Sequence, residues 1–174
     1  TPKQRAACII AEVRCRRLVD PVVARWCDLL ELVRETGVFS ERRKEFEKRA
    51  LHASFPDAFE APTNDVQNDG GYIGEVQEET ARRLLGCVEH GGHAELLRQA
   101  LCAFLGHDAL DQSDRVDVLE RIADVCAVRL DDLDGAREAL EHAWRASEEP
   151  RFLERLVGLD ERASDDESAL NHRR

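Results

Sequence analysis

Cys87, His90 and His93 follow one another at intervals of three beside Glu89. Thiolate and imidazole ligands at such spacing can hold a zinc ion, provided a fourth ligand and a fixed turn complete the site. His90-Gly91-Gly92-His93 reads instead as a hairpin turn and Cys87 as a core position, so no metal is expected. Asp69-Gly70-Gly71-Tyr72-Ile73-Gly74 has the glycine and apolar residues of a calcium loop. Laid on that pattern, its first ligand becomes Val66 and its last Gln77, neither of which carries a carboxylate. Arg14, Arg16 and Arg17, and then Arg42, Arg43, Lys44, Lys48 and Arg49, make two basic clusters that could contact phosphate. Glu41, Glu45 and Glu47 dilute the second by close pairing.

No serine nucleophile elbow, phosphate-cradling glycine loop, paired-histidine metal helix or Cys-x-x-Cys is present. The many Asp and Glu residues fall where amphipathic helices put their solvent face and give no general-acid signal. A non-enzyme without a cofactor is the expectation.

The charge is uneven. Residues 1–54 carry 12 basic and 8 acidic side chains, a net of +4, whereas residues 55–174 carry 13 and 28, a net of −15. An acidic surface of that size repels nucleic-acid backbone and anionic membrane and steers basic partners toward itself. Only the N-terminal part could meet phosphate.

The elements that hold these residues read as helices throughout. Apolar residues make up 43% of the 174 and aromatics only 5%, with Ala and Leu prominent, which favours close-packed helices over sheets. Five of the six cysteines lie among apolar residues at helical spacing, as small core hydrophobes do. With no signal peptide and no apolar run near ~20 residues, a soluble protein of the reducing cytoplasm is expected. The absence of methionine points to a piece of a larger polypeptide.

Ala6, Ile9, Ile10 and Val13 mark a first helix, and Val22, Trp26, Leu29, Leu30 and Val33 a second, with Asp20 as its cap and Pro21 at its start. Ser40 opens a third, with Phe46, Ala50 and Ala53 inward. Residues 1–54 thus form an N-terminal helical subdomain. Prolines, asparagines and glycines without periodicity make 55–75 a linker. Helical stripes then run from Val76 to 163: Ala81, Leu84, Leu85 and Val88; Leu96, Leu97, Ala100, Leu101 and Phe104; Leu119, Ile122, Ala123, Cys126 and Leu130. Two more follow, with Ala136, Ala139, Leu140, Ala143 and Trp144, and with Phe152, Leu153, Leu156 and Leu159. Ser113 or Asp114 caps one of these, Asp134-Gly135 opens the next, and residues 164–174 read as a frayed tail.

Two hairpins share one pattern. Leu96, Leu97, Ala100 and Ala103 fall on Ala139, Leu140, Ala143 and Ala146 with a shift of 43 residues, and Ala81, Leu84, Leu85 and Val88 fall on Ala123, Cys126, Ala127 and Leu130 with a shift of 42. The segment Arg121 to Pro150, with its small residues at Ala123, Ala127, Ala139 and Ala146, its Asp-Gly turn and its closing proline, resembles a tetratricopeptide unit. The resemblance covers about residues 76–160, is irregular, and leaves ordinary antiparallel hairpins of a bundle as the alternative. It implies an all-α fold of helical hairpins stacked as a short solenoid, in which the first helix of each hairpin lines a binding groove. Carried over by position, that gives Glu79, Arg82 and Glu89 in one unit and Arg121, Asp124 and Val128 in the next. The function expected is a scaffold docking a basic peptide or protein; the alternative is a helical regulator contacting nucleic acid or phosphate through Arg14, Arg16, Arg17, Arg42, Arg43 and Lys48.

Overall fold

A computed structural model describes residues 1–15, 18–56, 58–59, 76–107 and 110–171, and side chains at its two ends for 1–13 and up to 164. Every regular element among them is helical. The chain forms α1 (Pro2–Cys15), α2 (Val19–Thr36), a 3-10 turn (Ser40–Arg42) running into α3 (Arg43–Ser54), α4 (Glu78–Glu89), α5 (Ala94–Leu105), α6 (Gln112–Asp124) continued by a π-helical segment (Val125–Leu130), α7 (Leu133–Ser147) and α8 (Pro150–Asn171). The expected all-α fold class is therefore present. No helix among the described residues is long and apolar enough to cross a membrane.

The chain divides into two compact units, Thr1–Phe104 and Leu105–Arg174. In the first, α2 packs against α1, α3 and α4, and α3 also meets α4. In the second, α7 packs along α6, the π-helical segment and α8. The division thus falls at the end of α5 rather than in the 55–75 segment, most of which lies outside the described residues. The reason is packing: α4 spends its Ala81, Leu84, Leu85 and Val88 stripe on a unit that already contains α2 and α3.

The helical stripes read from periodicity are buried almost everywhere, including Ala6, Ile9 and Val13 on α1 and Leu96, Leu97, Ala100, Leu101 and Phe104 on α5. Two expectations at the far end differ. Trp144 is 36% and Leu153 43% exposed. The frayed tail also differs at the backbone level, since α8 continues to Asn171. Ser164 fits into that helix by donating its hydroxyl to the Asp160 carbonyl at 2.9 Å.

Helix starts depend on side chains a few residues from those expected. Asp111 caps α6, its carboxylate accepting from the Asp114 N–H at 2.8 Å, and Asp132 caps α7 by accepting from Gly135 N–H at 2.9 Å. A Cβ at Gly135 would overlap that Asp132 carboxylate, so a larger residue there would displace the cap. Asp20 lies inside the first turn of α2, and its carboxylate accepts from the Gln77 N–H at the entry to α4. Gly37, at φ 68°, closes α2 in the left-handed conformation.

Phe152 is fully buried on α8, whereas Leu153 beside it faces water. Phe152→Ala should cost about 3–5 kcal/mol in urea unfolding, and Leu153→Ala less than about 1 kcal/mol. Equal losses would contradict this orientation of α8.

Candidate functional site

α8 carries more apolar residues than one stripe can hold. Phe152, Leu153, Leu156, Val157 and Leu159 spread over nearly half the helix circumference at 3.6 residues per turn, wider than the ~100° face a surface helix needs. Phe152 and Leu159 are buried, while Leu153 and Val157 are 43% and 58% exposed. The same outward face carries Glu154, Asp160 and Glu161, so two apolar side chains lie within a frame of carboxylates. Trp144 on α7 and Val128 on the π-helical segment are also exposed in this unit, Val128 by 79%.

The acidity of this unit is surplus charge rather than paired charge. Residues 105–174 hold 10 basic and 19 acidic side chains, a net of −9. The arginines are largely taken up in holding helices together: Arg155 of α8 binds Glu120 at 2.8 Å and Asp124, both on α6, and Arg151 binds Glu120 at 3.1 Å. Arg137 of α7 binds Asp160 of α8, and Arg162 reaches Asp131 at 3.5 Å. Asp117, Glu138, Glu148, Glu154 and Glu161 are exposed and have no ion pair among the described residues.

The six groove residues separate into two sets. Arg121, Asp124 and Val128 belong to the α8-containing unit, on α6 and its π-helical continuation, and Asp124 faces α8 through Arg155 rather than standing open. Glu79, Arg82 and Glu89 lie on α4 in the other unit. Glu79 is exposed; Arg82 pairs with Glu78 at 2.7 Å and lies over the Phe104 ring, 5.6 Å from its centre.

Three different partners draw Cys87, His90 and His93 apart. His90 Nδ1 sits 2.6 Å from the Gly86 carbonyl, His93 Nδ1 2.8 Å from Glu47, and Cys87 faces Glu31, its Sγ 4.0 Å from Oε1. No group of three metal-ligating side chains forms among the described residues. The calcium-like stretch around Asp69 lies outside them.

Sequence reading missed Glu47, a fully buried carboxylate on α3. It accepts from Arg43 Nε at 2.8 Å and pairs with His93, and the Arg43 fork continues to the Cys87 carbonyl at 2.8 Å. Gly91 lets the α4–α5 turn approach so closely that a Cβ there would overlap the Glu47 carboxylate. The available signal was the Arg43/Glu47 spacing of four together with Gly91-Gly92, a spacing that surface helices also show. This cluster anchors the turn.

A second network ties α4 to α2. Arg83 donates to Glu31 at 2.8 and 3.0 Å and to Asp28 at 2.8 Å. The Arg83 hydrogen bond holds Glu31 below its ordinary value, against partial burial. Burial works to raise Asp28, but hydrogen bonds from Arg83 and Arg25 outweigh it and leave Asp28 lowered.

The basic clusters are only partly open. Arg42 and Arg49 both bind Glu45, at 3.1 and 2.9 Å, and Arg43 is spent on Glu47. Lys44 and Lys48 remain exposed, while the Arg16 and Arg17 positions and the Arg14 side chain lie outside the described residues.

The architecture and surface define an all-α protein with an acidic, apolar-centred helix face. Comparison with known proteins produces no matching family model, curated protein or solved structure.

Glu47→Ala should lower stability by about 3 kcal/mol, because it leaves the Arg43 charge largely buried without its carboxylate. Glu95→Ala, in an exposed pair with Arg98 on α5, should cost less than about 1 kcal/mol, and comparable losses in urea unfolding would contradict the contrast. Glu31 and Asp28 titrate lower when folded than their ordinary 4.5 and 3.8. Their contribution is complete above those values and is lost as pH falls through the lowered folded ones. Arg83→Met should therefore reduce stability at neutral pH and move the acid-unfolding midpoint upward, with little difference from wild type once both carboxylates are protonated. An unchanged midpoint by circular dichroism would remove the network from the stability account.

Proposed function

We propose that this chain is a non-catalytic protein-interaction module that docks a basic amphipathic segment of another protein on its acidic helical surface. The carrying observation is the outward face of α8, where exposed Leu153 and Val157 are framed by the exposed carboxylates of Glu154 and Glu161. Apolar side chains grouped on one helix face supply contact area, and surrounding unpaired charge supplies steering and rejects acidic competitors. The exposed Val128, Trp144 and Glu138 of the same unit extend the range of groups a partner could meet.

The tetratricopeptide-like reading belongs to this proposal. Supporting it is the packing of α6 on α7 with the small residues Ala123, Ala136, Ala139 and Ala143 buried, which lets antiparallel helices approach closely. The docking face favoured here is nevertheless α8, since Asp124 of the expected groove is engaged with Arg155.

A fluorescein-labelled helical peptide of leucine and lysine is the probe, read by anisotropy at low salt. Glu154→Lys with Glu161→Lys should weaken binding by about tenfold or more, equivalent to ~1.4 kcal/mol, with an unchanged melting temperature. Leu153→Ser with Val157→Ser should weaken it further, and added salt should reduce the wild-type affinity. Equal binding by the charge-reversed protein, or equal affinity for a leucine and glutamate peptide, would overturn the assignment.

A further inference from the structure

His93 stands in the turn between α4 and α5, immediately before Ala94, and its Nδ1 lies 2.8 Å from Glu47 Oε2. Glu47 comes from α3, 46 residues earlier in the chain, and its side chain has no exposure to water. Its other oxygen accepts from Arg43 Nε at 2.8 Å. A carboxylate held by a guanidinium has no proton to give, so the hydrogen between His93 and Glu47 sits on Nδ1. That fixes the tautomer, and Nε2, across the ring, keeps its lone pair. The His93 side chain is 32% exposed although a wholly buried group closes its Nδ1 edge, so the open part of the ring is the edge that carries Nε2.

Two features separate this imidazole from an ordinary surface histidine. Its orientation is built into the fold: Arg43 braces Glu47 and also reaches the Cys87 carbonyl at 2.8 Å, and Gly91 has no Cβ to strike the carboxylate as the turn crosses it. Its partner is also charged. When Nε2 bonds to an electrophile, positive charge grows on the ring, and a buried carboxylate on the Nδ1 hydrogen stabilises that charge. His90 in the same turn supplies the contrast, because its Nδ1 meets the neutral Gly86 carbonyl at 2.6 Å and the residue is exposed. The surroundings favour an anionic electrophile. Lys44 and Lys48 are exposed on α3 on either side of Glu47, and residues 1–54 carry a net +4 against −15 for the rest of the chain. Of the nearby acidic residues, Glu95 is paired with Arg98 at 2.7 Å.

We propose that His93 is a phosphoryl-acceptor site, modified on Nε2 by donors of the phosphoramidate class, with Glu47 as its positioning residue. The Nε2 lone pair attacks phosphorus and forms a new N–P bond. The donor's own P–N bond breaks, and its electron pair leaves on the donor nitrogen; from phosphoramidate the product is ammonia, whose three hydrogens were already on that nitrogen. The Nδ1 proton stays between the ring and Glu47, so the modified ring is cationic and faces the buried carboxylate. No atom is oxidised or reduced. Hydrolysis of the N–P bond returns the imidazole and inorganic phosphate.

The full chain is incubated with potassium phosphoramidate at neutral pH, digested without acid, and mapped by mass spectrometry for peptides heavier by one HPO3 unit. His93 should be modified at least about tenfold faster than His90, despite being the less exposed of the two. In urea, where Glu47 no longer meets the ring, the two rates should converge. Glu47→Gln, with its fold checked by circular dichroism, should bring His93 down to the His90 rate. If that variant does not fold, the ratio of the two rates in native and urea-unfolded wild type decides. Nitrogen NMR of the imidazoles should place the hydrogen of unmodified His93 on Nδ1 and the phosphoryl group of the product on Nε2. Equal rates at His93 and His90 in the native chain, an unchanged His93 rate in folded Glu47→Gln, or a hydrogen on Nε2 would overturn the proposal. None of these outcomes bears on the α8 surface.

Discussion

A helix with apolar residues on more than half of its circumference cannot lie on a surface, and α2 is such a helix. Val19, Val22, Val23, Trp26, Cys27, Leu29, Leu30, Leu32 and Val33 are all buried along its 18 residues, and α1, α3 and α4 all pack against it. Removing so much apolar surface from water is the largest favourable term available to this unit. The other helices are placed by it. α7 has the same role among the last helices, where a narrower stripe dominated by alanine allows α6 and α8 to pack against it.

Because helix burial is not directional, polar contacts decide register. In the first unit Arg83 fixes α4 to α2, and Arg43 with Glu47 fixes the α4–α5 turn to α3. In the second, Arg137 and Arg155 fix α8 to its neighbours. All of these cations are arginine, in a chain with 22 arginines and 3 lysines. A planar guanidinium with five donors can bridge two carboxylates, or a carboxylate and a carbonyl, where an ammonium would satisfy one point. Spending arginine internally also leaves carboxylates in excess on the outside, so one set of contacts both fixes the helices and produces the acidic exterior.

The surface left by this packing is not uniform. Apolar side chains that find no helix to cover them collect on α8, beside carboxylates that find no arginine. Where α2 meets α4, Arg83 gathers Asp28 and Glu31, two carboxylates that periodicity alone treats as ordinary solvent-facing positions.

Much of the fold is legible in the sequence, because amphipathic periodicity is local. The stripe on α5, the five apolar residues first read on α2, and the breaks at Gly37 and Gly91-Gly92 follow from residues within a few turns of one another. Net charge and its unevenness are also sequence properties. What the sequence leaves open is where two stripes meet. Periodicity places Leu153 on an apolar arc without saying that α7 is too narrow a neighbour to cover it. Similarly, it places Asp28 and Glu31 on α2 without saying that Arg83 of α4 will bind both. Glu47 looks like one of many i, i+4 surface carboxylates until the α4–α5 turn closes over it. Spacing along a chain determines which face of a helix is apolar, whereas pairing of faces depends on contacts between residues tens of positions apart, and those exist only once the helices have packed.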